Sequence, residues 1–315
     1  MLDLLKPYAR AWKYGRLYRR ARALAQRGVR WDPDAWHAPP VFVVGCGRSG
    51  TTILGELLSR HPGVRYLFEP YHAWAAIDAR TDMTNLYTSQ QPMCFMEESD
   101  CTLEARARFE GVFGEHLRDP KQRLIEKTPI HALRIPYLSS VAPGARFVHI
   151  RRRCEPVANS IERLATGNTY KIFGKKTLNQ WWGVDDVKWR VLIEQGERLG
   201  AGVSSISSDT GDHWQRGVYE WYCTEWFLSR CLERDAALSD RLLQVTYEDF
   251  LSRPGDTLDT IARFCDIEDD PGWSERAASA VSARTHAGTP SRQLPTVVRE
   301  LEQRLYSDSS GSVCA

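Results

Sequence analysis

Apolar residues in this chain fall into short unbroken runs separated by stretches of helical period, the pattern of parallel strands buried on both faces and joined through helices. Val41–Val44 is the clearest run, and a loop bearing several glycines follows from Gly45. Ile53, Leu54, Leu57 and Leu58 then recur at helical spacing until His61, Pro62 and Gly63 end the helix. Val64–Phe68 predicts a second strand, Leu124–Lys127 a strand running into a Lys-Thr-Pro turn, and Ala145–Ile150 another clear strand. A helix opens over Pro156–Leu164 behind it. Residues 213–238 read as a long helix with Val218, Trp221, Tyr222, Trp226 and Leu232 on or near its inner face. Leu242–Asp249 reads as a strand and turn, and 255–265 as a helix. The alternation predicts an α/β fold with a central parallel sheet flanked by helices.

Other stretches are less regular. Residues 73–123 are polar and lack a clear period, which predicts short helices and loops. Residues 165–212 contain Trp181, Trp182 and Trp189, then a Ser/Gly-rich run from Gly200 to Ser208 that is the best candidate for a mobile lid. Residues 2–28 form a basic helical arm in which Leu2, Leu5, Trp12, Leu17, Tyr18, Ala21 and Leu24 make an interrupted apolar stripe. A proline-rich connector, Trp31–Pro40, leads to the first strand. The expected division is an arm and connector over 1–36, one domain over 37–306 and a disordered tail over 307–315.

Charge sharpens the picture of the arm. The formal net charge is only +2, which gives no sign of nucleic-acid binding. Residues 1–30, however, carry Lys6, Arg10, Lys13, Arg16, Arg19, Arg20, Arg22, Arg27 and Arg30 against Asp3. Such an arm has two readings: it lies on an anionic membrane surface, or it is a solvated helix packed against the domain. The eight cysteines show no Cys-x-x-Cys pair and no clustering with histidine, so neither zinc nor a disulfide framework is indicated. No apolar run reaches the length of a membrane span. The expectation is a cytoplasmic protein, peripheral at the membrane under the first reading of the arm.

The chemistry centres on Gly45–Thr52. Gly47, Ser49, Gly50, Thr51 and Thr52 have the spacing of a phosphate-binding loop, where backbone N–H groups and a helix N-terminus converge on an anion. Thr51 stands where a nucleotide triphosphatase needs its lysine, while Arg48 offers a fixed fork of donors inside the loop. A phosphate-rich donor other than ATP is implied. At these residues the chain resembles the 5′-phosphosulfate loop of sulfotransferases that use 3′-phosphoadenosine 5′-phosphosulfate, PAPS. The following stretch, Gly55–Pro70 with its Phe68-Glu69-Pro70, is similar to carbohydrate 6-O-sulfotransferases.

That resemblance, spread over about residues 40–265, implies a P-loop-like sheet, a PAPS co-substrate, and a hydroxyl-bearing acceptor such as a carbohydrate or glycolipid, with 73–123 covering the acceptor cleft. It implies catalytic roles for three residues: Glu69 as the base, Lys127 on the sulfonate and leaving oxygen, and Arg48 sharing the leaving-group duty. It assigns the 3′-phosphate to Arg152 and Ser160 and brings Tyr247 to the adenine. The family's Asp-Pro after the arginine is replaced here by Arg153-Cys154, so Arg151 and Arg153 stay open as alternatives to Arg152. Ser291 and Arg292 are candidates to close over the donor phosphates, and His72 and His131 to assist an acceptor. Trp181, Trp182 and Trp189 could stack on sugars or simply pack in the core. No acidic metal-binding set is present, and no metal is expected. Two rivals remain at this point. One is a small-molecule or nucleotide kinase, disfavoured by Thr51; the other is a catalytically silent nucleotide-binding or membrane scaffold, which would have no use for Glu69.

Overall fold

The computed structural model describes residues 2–201, 212–267, 270–281 and 292–307. The Ser/Gly-rich lid candidate falls almost entirely outside them, as do Ser291 and nearly all of the expected tail. Five parallel strands form the central sheet: β1 (Val41–Val44), β2 (Val64–Phe68), β3 (Arg123–Lys127), β4 (Arg146–Arg151) and, after the two-residue pair β5 (Leu178–Asn179) and β6 (Gly183–Val184), β7 (Leu242–Thr246). Their order is β2-β3-β1-β4-β7, which puts β1 at the centre. All four residues of β1 are buried. Alternation sends Val41 and Val43 into one core layer with Leu54, Ile125, Val148 and Leu258, and Phe42 and Val44 into another with Trp74, Phe109, Phe147 and Trp221. A strand buried on both faces reads as an unbroken apolar run, which is why β1 was visible in the sequence.

The helices are α1 (Leu2–Ala25), α2 (Thr51–Leu58), α3 (Tyr71–Ile77), α4 (Leu103–Leu117), α5 (Ile135–Val141), α6 (Cys154–Gly167), α7 (Val187–Arg198), α8 (His213–Arg234), α9 (Ala236–Ser239), α10 (Tyr247–Ser252), α11 (Pro254–Phe264), α12 (Trp273–Ala278) and α13 (Thr296–Ser307). Two of them correct the expectation of irregular chain. Residues 73–123 contain the fifteen-residue α4, capped by Thr102, whose hydroxyl accepts from Ala105 N at 3.0 Å. Its buried face includes Glu110 and Gly114, and these blur the apolar period. Residues 165–212 contain α7, whose buried face includes Lys188 and Gln195 for the same effect.

The arm is a helix, but it is not free. α1 packs across α3 and α4, burying Ala21 and Ala25, and the Leu24 carbonyl lies against Gly111 of α4. The expected apolar stripe is therefore only half used. Leu5 and Trp12 turn to solvent, 58% and 63% exposed, with Tyr8 beside them stacked on Phe173 at 4.2 Å. Among the described residues no helix is long and apolar enough to cross a membrane, and the seven described cysteines are all free thiols.

Candidate active site

Three segments reach one point on the carboxyl edge of the sheet. β1 delivers the loop 45–50 there, β2 delivers Glu69 and β3 ends in Lys127. β1 has β3 on one side and β4 on the other, so its edge is where connections diverge and open parallel sheets form their ligand crevice.

The loop is shaped for close approach to an anion. Arg48 and Gly50 both take left-handed backbone, φ 76° and 102°. Gly50 is the N-cap of α2 and supplies no side-chain cap, which leaves the first-turn N–H groups of α2 for an incoming acceptor. The Ser49 hydroxyl is buried and has no hydrogen-bond partner. A side chain cannot be added to the two flanking glycines: a Cβ on Gly47 would lie 2.4 Å from the Trp181 ring, and one on Gly50 2.4 Å from the Tyr247 ring. Trp181 is thus a wall of the loop. Its Nε1 donates to Glu220 at 2.9 Å, and Lys188 donates to the same carboxylate at 2.7 Å and 2.9 Å. Trp182 and Trp189 are buried in the core. Of the three tryptophans only Trp181 meets the loop, and nothing in the spacing of the sequence separates it from the other two.

Two of the three catalytic candidates, Glu69 and Lys127, touch one another. Lys127 Nζ donates to Glu69 Oε1 at 2.5 Å and to Thr52 Oγ1 at 3.0 Å, and lies 4.0 Å over the Phe68 ring. The Lys127 side chain is fully buried while that of Glu69 keeps 27% of its surface open. Burial depresses the Lys127 pKa, and the Glu69 charge opposes that shift. Glu69 itself has φ 41°, with its N–H held by the Lys127 carbonyl at 2.8 Å. A non-glycine residue in that region is uncommon and here sits at the chemistry.

Arg48 extends along the loop, and its Nε donates to Ser160 Oγ on α6 at 3.0 Å. Burial lowers its pKa, again against the pull of Glu69. The run 151–153 divides cleanly. Arg151 is buried, donating to Glu225 Oε2 at 3.0 Å, to the Leu305 carbonyl at 2.8 Å and to Gln244. Arg153 pairs with Glu302 at 3.5 Å and covers Tyr306. Arg152 is the one turned to the loop: it donates to the Arg48 carbonyl at 3.3 Å and lies 4.3 Å over the Tyr247 ring. Arg292, by contrast, binds Glu155 and Glu162 on α6.

The two histidines differ. His131 is fully buried, packed edge-on to Trp74 with ring centroids 4.6 Å apart and held by burial well below the usual histidine pKa. Its Nε2 is 3.7 Å from Glu126 Oε2, and burial pushes the Glu126 carboxyl up to about 8. Both side chains are buried in the core, where His131 packs against Phe42 and Trp74. His72 is half-buried near Tyr87. Among the described residues no group of three or more His, Cys, Asp or Glu side chains is placed to hold a metal.

A sulfotransferase family model matches residues 39–271, which takes in every strand of the sheet and all the residues named at the loop. The chain belongs to the sulfotransferase family. It is also similar to the nodulation protein NoeE of Sinorhizobium fredii (strain NBRC 101917 / NGR234), 28% identical over 127 residues, 38% of this chain. That alignment spans only 30% of the relative's length. Among solved structures, the sulfotransferase domain from the curacin biosynthetic pathway aligns at 13% identity and TM-score 0.48, over 85% of this chain and 98% of that domain. A sulfotransferase of Mycobacterium tuberculosis H37Rv aligns at 17% identity and TM-score 0.47, over 93% and 84%.

Proposed function

We propose that this sulfotransferase-family chain moves a sulfuryl group from PAPS to a hydroxyl of a carbohydrate or glycolipid. The observation that carries the reading is the contact of Glu69, Lys127 and Thr52 beside an uncapped helix N-terminus. The donor fits the loop: the unpartnered Ser49 hydroxyl, the open first turn of α2 and the two side-chain-free glycines suit the 5′-phosphosulfate. Arg152 and Ser160 are assigned to the 3′-phosphate, and Tyr247 to the adenine. The donor supplies the sulfuryl group and departs as 3′,5′-ADP. In the transfer a sulfur–oxygen bond to the acceptor forms as the one to the leaving phosphate breaks, and the acceptor proton passes to Glu69. Lys127 and Arg48 stabilise the negative charge that develops on the leaving oxygen, as fixed donors do in a dry site. Lys127 is buried and already oriented by Thr52, so it needs little rearrangement to do so.

We assign the transfer to residues 37–306, with 1–36 as arm and connector. The carbohydrate choice rests on the likeness of Gly55–Pro70 to carbohydrate 6-O-sulfotransferases. The arm reading that adds peripheral contact with anionic lipid is supported by Leu5, Tyr8 and Trp12 lying exposed among basic residues. Calorimetry should show 3′,5′-ADP binding and no comparable binding of ATP with magnesium. Labelled PAPS should then pass its sulfur to a member of a panel of sugars and glycolipids. Preference for ATP, or label appearing only on phenols or peptides, would overturn the donor or acceptor part respectively.

A further inference from the structure

A pocket of about 620 Å³ opens between α1, the far end of α3 and the segment after it. Its lining is cationic and aromatic. Arg22 of α1, Arg108 of α4 and Lys175 face it together with Tyr18 and Tyr87, and no carboxylate lines it. Arg108 is held by the exposed Glu104 at 2.5 Å, and Lys175 gives one N–H to the Asn85 carbonyl at 2.7 Å. Arg22 has no carboxylate partner among the described residues; its guanidinium lies 5.9 Å over the Tyr18 ring.

The pocket and the catalytic residues share α3, which starts two residues after Glu69 and whose Ala75 and Ala76 line the pocket. His72, Ala75 and Ala76 lie on one side of α3; Ala75 and Ala76, with Ala79 just past the helix end, floor the pocket, and His72 meets Tyr87 at 6.4 Å. At 1.5 Å per residue, Ala76 lies roughly 8 Å along α3 from its first residue, Tyr71. The opposite wall is fixed by the buried Asp82 carboxylate, which accepts the N–H groups of Leu86, Tyr87 and Thr88 at 3.3, 2.7 and 2.8 Å. Tyr18 and Arg22 lie outside the 39–271 family match, so this wall of the pocket is added by the arm.

We propose that this pocket binds an anionic group, phosphate or carboxylate, on the saccharide that accepts the sulfuryl group. The inference rests on the transferase reading and narrows its acceptor to charged saccharides. Arginine forks match either anion, and the tyrosines offer faces for the adjoining ring. The arm thereby becomes part of substrate recognition.

The test is calorimetry on the full chain saturated with 3′,5′-ADP, so that added anions cannot occupy the donor loop. Glucose 6-phosphate, glucuronate, glucose and inorganic phosphate are titrated into the wild type and Arg22→Gln. The expected result is that one or both charged sugars bind about 10-fold or more tighter than glucose, which distinguishes phosphate from carboxylate. Arg22→Gln should cut that preference by about 10-fold, the usual weight of one charge-assisted contact, and leave 3′,5′-ADP affinity unchanged. Equal binding of all sugars, an undiminished preference in Arg22→Gln, or inorganic phosphate binding as tightly as the sugar phosphate would each overturn the proposal. Failure of 3′,5′-ADP to bind would instead strike the donor reading, and the Arg22 comparison would still decide the pocket.

Discussion

Replacing Glu69 by Gln removes a proton acceptor, and it also strips the charge partner from a fully buried lysine. The contact is 2.5 Å; at an effective dielectric of about 20 two unit charges that close attract by roughly 7 kcal/mol, before the cost of desolvation is set against it. Losing one member of a buried pair typically costs about 3–5 kcal/mol. Glu69 keeps 27% of its surface open and Lys127 keeps none, so the damage is asymmetric. Glu69→Gln, which strands the buried ammonium, should lose about 3 kcal/mol, whereas Lys127→Met leaves a carboxylate that water can reach and should lose less. The double variant should be more stable than Glu69→Gln alone. With the entropy of unfolding scaling with chain length, each kcal/mol moves the midpoint by roughly 1.5 °C here, so Glu69→Gln should fall by about 4–5 °C and the double variant by less. The assays are thermal and denaturant unfolding of the four proteins, followed by single-turnover sulfuryl transfer. Turnover should drop about 100-fold or more in Glu69→Gln and should not drop multiplicatively in the double variant. Additive stability losses, or near-normal turnover in Glu69→Gln, would refute the coupling and the base role respectively.

Three further outcomes follow from the same geometry. Arg152→Ala should fold normally and weaken 3′,5′-ADP far more than 5′-AMP, while Arg151→Ala should lose stability, because it leaves Glu225 buried with only His149 beside it; equal effects on the two nucleotides would remove the 3′-phosphate assignment. Gly50→Ala should lose about 1–2 kcal/mol from its left-handed backbone and weaken 3′,5′-ADP as its Cβ pushes Tyr247 aside, checked by unfolding and calorimetry. Glu126, raised to about 8 by burial from an ordinary 4.5, holds its proton in the fold across a window where the unfolded chain has released it. Its contribution to stability therefore falls as pH rises from about 4.5 to 8. Glu126→Gln should gain on the wild type in melting temperature between pH 5 and pH 8, and a constant offset would contradict the buried protonated carboxyl.

The strands of the sheet were legible because burial on both faces writes itself as Val41–Val44 and Phe147–Ile150, and the loop because glycines at 45, 47 and 50 serve backbone needs that few other residues meet. The catalytic roles of Glu69 and Lys127 came only through resemblance; nothing in the spacing of residues 69 and 127 says that two strand ends separated by a helix and a long insertion will meet at 2.5 Å. α4 and α7 were hidden because Glu110, Lys188 and Gln195 are polar residues satisfied inside the fold. Glu110, for example, accepts from Trp36 Nε1 at 2.8 Å. Trp181 could not be told from Trp182 and Trp189, nor Arg22 from the other basic residues of the arm, for a related reason: each gains its meaning from a surface supplied by a distant part of the chain.

The grip of α13 on residues 151–154 bears on synthesis. Arg151 bonds the Leu305 carbonyl, Cys154 N bonds Glu302 at 2.7 Å, and Arg153 covers Tyr306. The turn that presents Arg152 is thus backed by residues made about 150 positions later. At a translation rate of about 5–20 residues per second, that interval lasts roughly 8–30 s. During it the loop 45–50 is already made while the neighbouring turn has no support from α13; if Arg152 holds the 3′-phosphate as proposed, a nascent chain halted before Glu302 should bind 3′,5′-ADP more weakly than the full chain.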